Sequence, residues 1–155
     1  TGSLQHSRVD YIGSNAIRDS DLDGVGVGYR RAFIGKWQPL VVISGGYSQE
    51  NNRQYRNDLG RDIYSIGVVA SFSPAPRWAA SVGGGYQASR YQDIDTLFTT
   101  TRWDDYYAFN ATLGYALTRN LSLRGEAVLS KNHSNLELYE YQRNMIGFKL
   151  RYDFK

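Results

Sequence analysis

Residues Tyr139 to Phe154 read Y-E-Y-Q-R-N-M-I-G-F-K-L-R-Y-D-F, and their spacing decides the fold class. From Ile146 onward, Ile146, Phe148, Leu150, Tyr152 and Phe154 alternate with Gly147, Lys149, Arg151 and Asp153. Side chains on a strand switch face at every residue, so the segment has one aliphatic and aromatic face and one mostly charged face. It is longer than an ordinary globular strand. A soluble β-protein would cover the apolar face with a second layer. The charge on the opposite face argues that the apolar face meets lipid and the charged face lines a barrel interior.

Upstream, the same alternation recurs. It reads strands over Ser3–Ser14, Gly24–Phe33, Pro39–Glu50, Asp62–Ser73, Trp78–Tyr91, Asp104–Leu117 and Leu121–Lys131, with Tyr139–Phe154 as the eighth. The sixth is the cleanest: Tyr107, Phe109, Ala111, Leu113, Tyr115 and Leu117 oppose Asp104, Tyr106, Ala108, Asn110, Thr112 and Gly114. The first is the weakest, with Ser3, Gln5, Ser7, Val9 and Tyr11 opposite Leu4, His6, Arg8, Asp10 and Ile12. Arg31 breaks the pattern near a strand end, where a long side chain can snorkel to headgroups.

Connections alternate long and short, and all three prolines fall at or beside the short ones. A missing N–H disturbs the ladder least there. Outer-membrane barrels have short periplasmic turns and longer extracellular loops, so an even strand count places both chain ends on the periplasmic side. Tyr47, Tyr64, Tyr107, Tyr115, Tyr152, Trp37, Trp78 and Trp103 cluster near strand ends, as interfacial belts require. The expected fold is therefore all-β: a single domain over residues 1–155, an eight-stranded antiparallel transmembrane β-barrel of outer-membrane type or a portion of a larger barrel.

Composition agrees. The 155 residues include 16 glycines, 13 tyrosines, 3 prolines and no cysteine, so no disulfide framework and no thiolate chemistry enter. His6 and His133 lie far apart and suggest no metal site. A net charge of +3, without a basic run, points away from nucleic acid. No stretch approaches the 18 apolar residues of a membrane helix, yet a mean hydropathy of −0.51 suits half-polar strands. No signal peptide stands at Thr1, so the chain reads as mature or as a cut piece.

Nine charges fall on the non-apolar face or near it: Arg30, Glu50, Asp104, Arg124, Glu126, Arg143, Lys149, Arg151 and Asp153. Buried without partners or water each would cost several kcal/mol, so they are expected as a paired, wet interior network filling a narrow barrel. Gly24, Gly26 and Gly28 imitate a phosphate loop, but no βαβ context follows, and curvature is the better reading.

The segment Asn132-His133-Ser134-Asn135 resembles the H-x-S-N segment of eight-stranded lipid A deacylases. Here the histidine directly precedes Ser134 and points to the other face, and Asn132 stands where that family has its histidine. The serine lacks a base. No catalytic, cofactor or metal residue is expected, and the chain reads as non-enzymatic.

A second resemblance runs through Ser134-Asn135-Leu136-Glu137-Leu138-Tyr139-Glu140-Tyr141-Gln142-Arg143 and the ending Leu150-Arg151-Tyr152-Asp153-Phe154-Lys155, with Arg102-Trp103-Asp104-Asp105-Tyr106 upstream. These look like the final hairpin of barrels in the surface lipoprotein assembly modifier group, and are similar to exopolysaccharide-export barrels. The resemblance implies an outer-membrane barrel for export, assembly or transport. It also implies outer-membrane lipid and lipopolysaccharide around the barrel, the barrel-assembly machinery acting on the C-terminal strand, and a periplasmic partner domain. An adhesion-type surface barrel is the alternative, and a deacylase-like enzyme the second alternative.

Overall fold

A computed structural model describes residues 1–154. It contains one antiparallel sheet of eight strands in sequence order: β1 (Gly2–Val9), β2 (Ser20–Ala32), β3 (Leu40–Asn52), β4 (Arg61–Phe72), β5 (Trp78–Ile94), β6 (Thr101–Ala116), β7 (Leu121–Ser134) and β8 (Tyr141–Tyr152). Every strand pairs with its sequence neighbour, and among the described residues β1 and β8 do not pair with each other. The sheet is a β-barrel wall with two free edges.

Several strand limits differ from those expected. The first strand ends at Val9 rather than Ser14, and Gly13–Arg18 forms a 3-10 turn. The second begins at Ser20, inside the stretch expected as a polar gap. β5, β6 and β7 extend into expected loops, and β8 spans Tyr141–Tyr152 rather than Tyr139–Phe154. The physical reason is the same in most cases. Beyond the apolar band, polar residues continue the backbone ladder, and opposed charges such as Arg8 and Asp21 stabilise it. Hydrophobic alternation stops before hydrogen bonding does.

Register fixes the two faces. Phe109 opposes Leu129, Leu113 opposes Gly125, Gly125 opposes Phe148, and Leu123 opposes Leu150, building one continuous apolar face. Its residues are exposed, Ile146 at 78% and Phe148 at 77%. The only buried apolar residues described are Ala88 and Leu136, so the molecule has no apolar core. Its accessible surface of 11211 Å² compares with about 7,900 Å² for a packed monomer of this mass. A face this large and apolar needs a cover, of lipid or of another apolar surface.

Aromatic pairs border it. Trp78–Tyr115 (4.6 Å between ring centroids) and Trp37–Phe72 (5.9 Å) lie at the short-turn end, with Tyr47–Tyr64 and Tyr86–Tyr107 (5.1 Å each) towards the long loops. Trp78 and Tyr86 are eight residues apart on β5, about 26 Å of strand. With a tilt near 40° that is roughly 20 Å of height, close to the apolar band of an outer-membrane barrel.

Candidate functional site

The face opposite the apolar one is built from small and charged residues. Its β2–β5 wall is smooth because glycines alternate into it, and at two of them a Cβ would crowd its neighbours. A Cβ at Gly24 would lie 2.4 Å from the Ser48 hydroxyl, and one at Gly83 would lie 2.5 Å from the Asn110 side-chain oxygen and 3.1 Å from a Val69 methyl. This wall carries serines where a core would carry leucines.

Across from it, β7 and β8 carry charge. Arg124 and Lys149 are directly opposed in the register, a like-charge pair that would destabilise the ladder by itself. Glu126 resolves it by sitting between them: Arg124 Nε lies 3.0 Å from one carboxylate oxygen and Lys149 Nζ donates to the other at 2.9 Å. Arg151 pairs with Asp153, which follows the strand, at 2.8 Å. Arg30 and Arg143 share this face and have no carboxylate within ion-pairing distance among the described residues. Along β7 and β8 these side chains are open to solvent on the polar face. Arg124 is 55% exposed, Lys149 67% and Arg151 75%, and the space around Gly147 is open. The sheet is not closed, since β1 and β8 do not pair among the described residues.

The long-loop end of the same face is tighter. Arg61 opposes Glu50 in the register and donates to it at 2.8 Å, while the Ser20 hydroxyl donates to the second Glu50 oxygen at 2.9 Å. Arg102 grips Asp104 with two bonds of 3.0 and 2.6 Å. Its guanidinium is stacked over Tyr139, 3.3 Å from the ring centroid, with Tyr91 4.7 Å away. Tyr91 also receives Arg61, at 5.8 Å from its centroid. A cavity of about 400 Å³ opens beside this cluster, lined by Gln87, Ser89, Tyr106, Asn132 and Tyr141 as well as the two arginines. Planar guanidinium suits both contacts, forked to a carboxylate and flat on a ring.

Glu50 and Asp104 were expected on this face, but Arg61, Arg102, Tyr91 and Tyr139 were not. Arg102 and Asp104 are two apart on one strand, a spacing that puts them side by side. The tyrosines arrive from β5 and from the last long loop, and no local pattern announces them.

The Asn132–Asn135 segment takes structural roles. The Ser134 hydroxyl donates to the Trp103 carbonyl and accepts from the Leu136 amide, both at 3.2 Å. His133 lies on the other face, paired with Glu140 and edge-on to Trp103. The Asn132 amide donates to the Tyr139 carbonyl. Ser134 is a buried strand end.

In the loop between β3 and β4, Arg56 makes two bonds to Asp58, at 2.7 and 2.5 Å. The bonds hold the Asp58 carboxyl below the usual carboxylate range. Among the described residues no three His, Asp or Glu side chains converge as metal ligands.

The family model described as "Putative beta-barrel porin 2" matches residues 60–154, from the start of β4 to beyond the end of β8. No curated protein and no solved structure matches the chain.

Proposed function

The chain belongs to the family described as "Putative beta-barrel porin 2", and on that premise we propose that it is a non-enzymatic outer-membrane β-barrel whose polar face lines an aqueous transport path. The observation that carries this reading is the opposition of the two faces. One is apolar, exposed and bounded by aromatic pairs; the other holds charges that remain more than half exposed. Exposed charge on a concave wall is stable only in water, and an exposed apolar wall only in lipid. The short turns then face the periplasm and the long loops the cell exterior.

The resemblance of the last hairpin supports export or assembly as the use of that path, with a lipoprotein or polysaccharide as cargo. Outer-membrane lipid and lipopolysaccharide would contact the apolar face. The barrel-assembly machinery would engage β8, and a periplasmic partner domain would deliver cargo. The nine charged residues read from the sequence, extended by Arg61 and Arg102, would border the path.

Reconstitution into planar bilayers tests the reading. Discrete conductance steps are expected, and a chain that inserts without conducting would overturn it. One observation favours a surface-interaction role beside transport: every long loop presents an exposed apolar side chain, namely Ile12 (94%), Tyr55 (97%), Leu97 (81%) and Leu138 (70%).

A further inference from the structure

Charge is distributed unevenly along the strands. At the short-turn end the polar face presents Arg30, Arg124, Lys149 and Arg151, and each of the three turns adds one cation, Lys36, Arg77 and Arg119. Against these seven stand two carboxylates, Glu126 and Asp153. At the opposite end the long loops reverse the sign, with six acids (Asp10, Asp19, Asp58, Asp95, Glu137, Glu140) against Arg18, Arg53 and Arg56.

Ion pairing does not cancel the excess. Glu126 serves both Arg124 and Lys149, and Asp153 serves Arg151. Arg30, Lys36, Arg77 and Arg119 are exposed and make no ion pair among the described residues. Along β2–β4 the polar face carries glycine and serine around Ser44, Ser48 and Ser65, with no carboxylate among the residues lining that stretch. Exposed charges act over about 8 Å at physiological salt, so a ring of cations around one mouth sums to a local positive potential. Such a mouth raises the local concentration of anions and rejects cations.

We propose that the short-turn mouth of this barrel collects anionic cargo, solutes or polymers bearing carboxylate, phosphate or sulfate groups. This rests on the reading of the polar face as a transport path and names its substrate class. The gradient of sign also makes the two mouths unequal, with anions concentrated at the basic one. An anion that enters at the basic mouth meets, at the far end, the paired arginines Arg61 and Arg102 and then acidic loops, which favour release over retention. With short turns on the periplasmic side, the collecting mouth is the periplasmic one. Turn cations could instead serve anionic lipid headgroups, so the test separates the two.

The experiment compares wild-type protein with the triple variant Arg30→Glu/Arg77→Glu/Arg119→Glu, which takes the mouth from five excess positive charges to one negative. None of the three is ion-paired among the described residues, and a β-type circular dichroism spectrum checks that the variant folds. Reversal potentials under a potassium chloride gradient, in bilayers of neutral phosphatidylcholine, should show chloride preference for wild type and its loss or inversion in the variant. In parallel, detergent-solubilised protein should bind dextran sulfate in a salt-dependent manner and ignore uncharged dextran, with binding by the variant weakened roughly tenfold or more. No selectivity in the neutral bilayer, or an effect of the variant only when phosphatidylglycerol is present, would assign the cations to headgroups and overturn the proposal. Polyanion binding without conductance would sink the transport reading and leave the anion site standing. Absence of both would remove this proposal.

Discussion

Arg102 shows how much a single side chain can organise. It is only 17% exposed, forks onto Asp104 (7% exposed) and lies flat on Tyr139. Arg102→Ala leaves a buried carboxylate without its partner, and that loss should destabilise the protein by about 3–5 kcal/mol, read from urea unfolding in lipid vesicles. Arg102→Lys should recover only part of it, because an ammonium cannot fork and stack together. Ser134→Ala removes one hydroxyl that donates to Trp103 and accepts from Leu136. It should cost about 1 kcal/mol and abolish no activity; loss of a lipid hydrolase activity would refute the structural role. Asp58 gives a pH signature. Its carboxyl titrates below the ordinary 3.8 because Arg56 donates to it. The contribution to stability is therefore complete above that value and disappears as pH falls through the lower, folded-state value. Amide exchange in the turn Asn57–Leu59 should accelerate only in strong acid, and Asp58→Asn should remove that dependence.

At the level of the strand, alternation was enough to find all eight elements and to sort their faces. Leu113, Phe109, Phe148 and Leu150 share the apolar face as the period of two requires. What alternation did not reveal were the polar strand extensions and the 3-10 turn Gly13–Arg18, which depend on cross-strand ion pairs and tertiary contacts. The arginine and tyrosine cluster was hidden for the same reason, since Arg61, Tyr91, Arg102 and Tyr139 are far apart in sequence. Leu113 tests the face assignment. Leu113→Arg places a charge between the aromatic belts and should destabilise the folded, membrane-inserted chain by roughly 2–4 kcal/mol. A neutral result in vesicle unfolding would mean that this face does not meet hydrocarbon.

For the whole molecule, two exposed faces and almost no core define the solvent it needs. Without detergent or lipid the protein should aggregate, and with either it should give a β-dominated circular dichroism spectrum; a soluble monomer in plain buffer would contradict the architecture. Among the described residues, the outer backbone edges of β1 and β8 have no partners. Water satisfies those peptide groups, whereas hydrocarbon does not, and each one left unmet there costs several kcal/mol. The strands therefore cannot enter a bilayer one after another. Hydrogen bonding along the last seam, whether by β1 meeting β8 or by another strand docking on each, has to be made before or during the crossing. Membrane entry becomes an all-or-none event, and the height of its barrier is set at the seam.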